Sequence, residues 1–64
     1  MNKSVGYKIG DTVKFYENYE HVSKDTLCTV LNIEPGTFPG DFYTTVQLKS
    51  GEKIVGYSWR WGKV

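Results

Sequence analysis

The stretch from residue 42 to residue 57, FYTTVQLKSGEKIVGY, decides the fold of this chain. In its first half, apolar and β-branched residues alternate with polar ones, which is typical of a strand with one buried face. The Ser50-Gly51 step then reverses the chain, and a second segment rich in β-formers follows. The stretch therefore predicts a β-hairpin with strands over residues 42–49 and 52–57.

The hairpin has a defined core face but two open registers. The residues predicted to face the core on its first strand are Phe42, Thr44, Val46 and Leu48. A two-residue loop would place Val55 beside Val46, whereas a glycine bulge would place Ile54 there. The sequence leaves both registers open.

The remaining segments are short, and turn signals separate them about every ten residues. We predict a strand over 12–16, a polar loop over 17–25, a strand over 26–33, a stiff Pro-Gly turn over 34–41, a 3₁₀ turn over 58–61 and a last strand over 62–64. The second strand has apolar residues on both faces, which suits a strand that bends and meets the core twice. No window has helical periodicity.

These segments are ordered as in SH3-like small barrels. Gly10-Asp11-Thr12-Val13 opens the first strand, the sequence YTTVQLKSG spans residues 43–51, and SWRW spans 58–61. On these residues the chain resembles the KOW, Tudor and photosystem-accessory branches of that superfamily, and also small barrel proteins of bacteriophages and mobile elements. The resemblance implies a five-stranded all-β barrel over residues 9–64. The ALYDY run and paired tryptophans of peptide-binding SH3 domains are missing, which argues against polyproline ligands.

The chain length and composition favour one domain that binds rather than catalyses. Sixty-four residues make a single domain with a thin core, and we expect residues 1–8 to form a flexible N-terminal arm. Cys28 is alone and predicted to be buried, and His21 has no second ligand nearby, so we expect no disulfide, metal site or cofactor. No paired carboxylates or phosphate loop indicate an enzyme.

Aromatic residues supply the candidate binding surface, since they form 16% of the chain and a small core cannot use them all. The leading hypothesis is one groove formed by Tyr16, Tyr19, Phe38 and Trp59. The full set of predicted partner-binding residues is Tyr16, Tyr19, Phe38, Tyr57, Trp59, Arg60 and Trp61. One of the two tryptophans is expected to plug the barrel and the other to be exposed. The sequence does not say which.

Charge is nearly balanced at +1 but uneven along the chain. Residues 1–10 carry +2, residues 11–41 carry −4 and residues 42–64 carry +3. The blocks either give the molecule an acidic and a basic side or interleave in the folded barrel. The candidate phosphate contacts are Lys49, Lys53, Arg60 and Lys63.

The first ten residues have no long apolar run, so we expect neither a signal peptide nor a membrane-spanning segment. The sequence therefore predicts a cytoplasmic protein that is complete as given and is a monomer or a weak homo-oligomer. Three functions stay open. The preferred one is a small protein-binding module, such as an inhibitor or adaptor that docks on a larger protein. The others are a KOW-like nucleic-acid binder and an accessory structural subunit that associates through an unpaired strand edge.

Overall fold

The computed structural model describes residues 5–64 and confirms an all-β chain with five antiparallel strands. The elements are β1 (Thr12–Phe15), β2 (Leu27–Pro35), β3 (Phe42–Leu48), β4 (Lys53–Tyr57), a 3₁₀ turn (Ser58–Arg60) and β5 (Trp61–Lys63). The 3₁₀ turn stands immediately before the last strand, as predicted. β5 begins one residue earlier than expected, because Trp61 pairs with Phe15.

The strands form one sheet in the order β4-β3-β2-β1-β5, with β4 and β5 at its two edges. In a flat sheet of five strands these edges would lie about 19 Å apart, since neighbouring strands are spaced by about 4.8 Å. Only Ser58–Arg60 joins β4 to β5, and three residues of 3₁₀ turn rise by about 6 Å. The sheet must therefore curl strongly for the chain to pass from one edge to the other.

The hairpin adopts the glycine-bulge register. Val46 pairs with Ile54, which is buried, while Val55 is exposed. The amide of Gly51 donates to the carbonyl of Leu48, and Gly51 has a φ of +98°, a backbone conformation that favours glycine. The turn therefore selects the face that β4 presents to the core.

β2 meets the core with both faces because its register changes between Val30 and Asn32. Before this irregularity Cys28 and Val30 are buried, and after it Ile33 packs against the core. An extra residue in one strand shifts the side-chain alternation, so the two faces exchange roles. The bend predicted from the two-sided apolar pattern is confirmed.

The core also contains residues outside the predicted strands. The buried apolar residues are Tyr7, Val13, Phe15, Val22, Cys28, Val30, Val46, Ile54 and Trp61. Tyr7 was predicted to lie in a flexible arm, yet its hydroxyl donates to the carbonyl of Ser58 at 2.8 Å and lies 2.9 Å from the buried Thr44 hydroxyl. Residues 1–4 of that predicted arm lie outside the described residues. Val22 is buried in the polar loop, where it exchanges two backbone hydrogen bonds with Tyr19.

The charge blocks interleave rather than separate. Lys63, from the basic block, lies 3.6 Å from Asp11 in the acidic block. His21 Nε2 lies 2.8 Å from Glu52 Oε1, and this contact joins the first long loop to the hairpin tip. Lys63 meets Asp11 because β5, near the end of the chain, pairs with β1.

Candidate functional site

The 3₁₀ turn sends the two tryptophans in opposite directions. Trp59 lies within the turn and is 63% exposed, whereas Trp61 opens β5 and is 2% exposed. The Trp61 ring packs edge-on against Phe15, with ring centroids 5.4 Å apart. Trp61 is therefore the tryptophan that fills the core. Its prediction as a partner-binding residue is corrected, because its side chain is buried. Trp59 is the exposed member of the pair.

An apolar pocket lies between the start of the first long loop and the 3₁₀ turn. It encloses about 150 Å³. Its lining residues are Phe15, Tyr16, Glu17, Tyr19, Trp59 and Arg60. Phe15 forms the floor, since its side chain is buried in the core, and it stacks with Tyr19 at a centroid distance of 6.2 Å. Core packing therefore fixes one wall of the pocket.

Arg60 closes the side of the pocket that the 3₁₀ turn provides. Its guanidinium carbon lies 4.4 Å from the Tyr19 ring centroid and 4.9 Å from the Trp59 ring centroid. Aromatic faces attract a guanidinium and hold its plane. Among residues 5–64, no carboxylate forms an ion pair with Arg60. The guanidinium is thus held by two rings while its N–H donors stay available.

Two glycines leave the space that side chains of the pocket occupy. A Cβ at Gly56 would lie 3.2 Å from Arg60 Cδ and 3.2 Å from the tip of the Trp61 ring, so the Arg60 stem rests against bare backbone. A Cβ at Gly62 would clash with the hydroxyl and ring of Tyr16, which therefore lies across β5. The Arg60 stem and the Tyr16 ring occupy these positions because neither glycine has a side chain.

The pocket continues into a ladder of aromatic rings along the outer face of the sheet. Trp59 stacks almost parallel on Tyr57, with an interplanar angle of 8°, and Tyr57 lies 5.2 Å from Tyr43, its partner on β3. The Tyr43 hydroxyl is 3.0 Å from the Thr37 hydroxyl. That hydrogen bond lowers the pKa of Tyr43, while the neighbouring Tyr43 hydroxyl raises the pKa of Tyr57. The ladder joins the pocket to the stiff turn after β2.

Phe38 does not take part in the pocket. A hydrogen bond from the Asp41 amide to the Phe38 carbonyl closes the turn that carries it. The Phe38 side chain is exposed on this turn and does not line the pocket. The predicted groove of four aromatic residues therefore reduces to Tyr16, Tyr19 and Trp59. Sequence reasoning missed Glu17 and Phe15, which also line the pocket. No periodic signal indicates them, because strand alternation would place both on the face opposite Tyr16, and β1 ends at Phe15.

The four candidate phosphate contacts are spread over the molecule. Arg60 belongs to the aromatic pocket, Lys63 pairs with Asp11, and Lys49 lines a separate cleft beside Leu27 and Cys28. Lys53 is exposed on the edge strand β4. None of the three lysines lines the pocket that Arg60 helps to form.

Residues 5–64 contain no group of three or more histidine, cysteine, aspartate or glutamate side chains that could hold a metal ion. Burial raises the pKa of the Cys28 thiol to about 11, so the thiol is protonated at neutral pH and is a poor nucleophile. Within the same residues there is no helix long and apolar enough to span a membrane.

Comparisons with protein-family models, with curated proteins and with solved structures found no match to this chain. The pocket and the aromatic ladder beside it are therefore the features of this chain that bear on its function.

Proposed function

We propose that this protein is a small protein-binding module that holds one side chain of its partner in the pocket between Tyr16, Tyr19 and Trp59. We also propose that the curled sheet closes as an SH3-like barrel, in which the first loop and the 3₁₀ turn face each other across the pocket. The module acts by docking on a larger protein, as an inhibitor or adaptor does, and not by catalysis.

The observation that carries the proposal is an exposed tryptophan fixed beside a preformed apolar pocket. Trp59 is held by Tyr57 on the sheet and by the Arg60 guanidinium, so it loses little rotamer freedom when a partner covers it. Tryptophan, tyrosine and arginine are the residues that most often dominate binding energy at protein interfaces. Their convergence on this surface supports the proposed interface.

The size of the pocket favours a protein side chain over a free cofactor. Small-molecule sites usually enclose about 300–1,000 Å³, whereas a cavity of about 150 Å³ holds a group the size of benzene. The pocket encloses about 150 Å³. It therefore fits one aromatic or branched aliphatic side chain, with the aromatic ladder as the surrounding contact surface.

Affinity capture from a cell extract tests the proposal with two matched variants. Trp59→Ala removes the exposed ring at the pocket, and Phe38→Ala removes an equally exposed ring outside it. We expect mass spectrometry to recover the same partner with the wild-type chain and with Phe38→Ala, and to lose it with Trp59→Ala. Far-UV circular dichroism should show all three chains folded. Recovery of the partner with folded Trp59→Ala would place the interface elsewhere.

Two alternatives have weaker support. Nucleic-acid binding is favoured by the exposed Trp59 beside Arg60, but none of the other three candidate cations lines their pocket. A role as a structural subunit is favoured by β4, which forms an edge of the sheet and exposes Val55. Nuclease treatment of the captured material distinguishes nucleic-acid binding from protein binding, since a nucleic-acid ligand would be lost on digestion.

A further inference from the structure

We propose that the pocket recognises a carboxylate placed next to an aromatic or branched apolar side chain of the partner. This inference rests on the proposed function and names the chemistry of the segment that would be bound. The apolar side chain enters the pocket, and the carboxylate pairs with Arg60.

The Arg60 guanidinium is already held in place by its neighbours. Tyr19 and Trp59 lie against it, and its stem is seated against Gly56. A guanidinium whose plane is already fixed loses little freedom when it forms a two-pronged pair with a carboxylate. Within residues 5–64 no acidic side chain forms an ion pair with it, so a ligand would displace no partner there.

Arg60 forms part of the wall of an apolar pocket. Its neighbours across the pocket are the buried Phe15 and the half-exposed Tyr16. A ligand that fills the pocket excludes water from the guanidinium, and a charge-assisted hydrogen bond strengthens as the local dielectric falls. A ligand that carries both an apolar group and a carboxylate should therefore bind more tightly than a ligand that carries either one alone.

Glu17 restricts how such a ligand can lie. Its side chain belongs to the same pocket, so a ligand carboxylate near it would meet a like charge. The carboxylate must therefore point toward the 3₁₀ turn, away from Glu17. This asymmetry restricts the orientation of the bound carboxylate.

A carboxylate of this kind has two sources, an acidic side chain or the end of a chain. Two random heptapeptide libraries distinguish them, one with the peptides inside a carrier protein and one with peptides that end in a free carboxylate. We expect selection against the wild-type protein to enrich an acidic residue beside an apolar one in the first library, or an apolar last residue in the second.

The selected peptide is then synthesised in its acid form and with the acid replaced by its amide, and binding is measured by titration calorimetry. We expect the amide to bind at least tenfold more weakly. Arg60→Lys, which keeps the charge but loses the planar fork, should weaken the acid peptide at least tenfold and leave the amide peptide within twofold. Lys49→Gln, which removes a cation from a separate cleft, should change neither.

Several outcomes would overturn the inference. Enriched peptides without an acid, equal affinity for acid and amide, or an unchanged affinity in Arg60→Lys would each reject the carboxylate. Tighter binding of a single-stranded oligothymidylate at 150 mM salt than of any selected peptide would show a nucleic-acid site. If selection fails while Trp59→Ala still abolishes capture from the extract, the ligand chemistry is wrong and the proposed function stands. If capture is unaffected as well, both proposals fall.

Discussion

Trp59 and Trp61 are two residues apart and have opposite surroundings. Trp61 is buried against Phe15, while Trp59 stands exposed on the 3₁₀ turn and stacks on Tyr57. In an extended strand, residues at positions i and i+2 share a face, so the 3₁₀ turn is what separates the two rings. The comparison shows that the last few residues of the chain serve both the core and the surface, with the turn as the boundary.

The largest expected effect on stability comes from removing the buried tryptophan of the pair. Trp61→Ala should lower the free energy of unfolding by about 3–5 kcal/mol, because it leaves a large cavity beneath the sheet. A domain of this size has about 3–10 kcal/mol in total, so the variant loses about a third or more of its stability. Guanidinium denaturation followed by circular dichroism measures the change.

The matched variant Trp59→Ala should cost less than about 1 kcal/mol, because only stacking on exposed rings is lost. Equal costs for the two variants would contradict the division between core and surface.

Gly62→Ala should disturb the pocket surface, because it adds a methyl group on β5 beneath Tyr16. The new methyl group would collide with the Tyr16 ring, which must swing away from β5 at a cost of about 1–3 kcal/mol. Adding Tyr16→Ala removes the clash, so the double variant should be more stable than the sum of the two single changes predicts. Thermal denaturation of the four proteins measures this coupling. Additive costs would mean that Tyr16 does not lie across Gly62.

Tyr7→Phe tests what holds the turn between the two regions. The Tyr7 hydroxyl donates to the Ser58 carbonyl, so the Thr44 hydroxyl must donate to Tyr7. Removing the hydroxyl leaves the buried Thr44 oxygen without this partner and should cost about 1–2 kcal/mol, measured by urea denaturation. Thr44→Val added to Tyr7→Phe should recover part of the loss. A cost near zero for Tyr7→Phe would show that this hydrogen bond does not stabilise the turn.

The smallest expected effect concerns the contact of His21 with Glu52. The hydrogen bond to Glu52 raises the pKa of His21, with a smaller contribution from Glu20. Because the folded-state pKa lies above the unfolded one, the stabilisation is complete below about pH 6 and is lost as the pH rises through the folded-state value. The Tm should therefore fall slightly between pH 5.5 and 8.5 in the wild-type chain.

Glu52→Gln is the control for this pH effect. It removes the charge that holds the His21 proton, so its Tm should change less over the same interval. An identical pH dependence in the two proteins would assign the effect to other groups.

The hairpin and the order of strands could be predicted from the sequence because both depend on local signals. The alternation over residues 42–49, the reversal at Ser50-Gly51 and the turns between strands each depend on residues that are close together in the sequence. The register was left open, since the choice between Ile54 and Val55 depends on the bulge at Gly51 that the folded hairpin adopts.

The candidate site was predicted in part. Tyr16, Tyr19, Trp59 and Arg60 were named, and the structure brings them together around one pocket. Phe38 was included because its turn is stiff, but stiffness does not determine which way a turn faces. Tyr7 was missed because a short segment before the first strand has no periodicity that indicates burial.

The sequence by itself determined the class of structure and the types of residue available for binding, because strand alternation and turn chemistry act between near neighbours. Only the tertiary structure decided which tryptophan is core and which is surface, and that Arg60 lies against the rings of Tyr19 and Trp59. The physical reason is distance along the chain. Tyr19 and Arg60 are 41 residues apart, and they meet only because the sheet curls and the 3₁₀ turn crosses from one edge to the other.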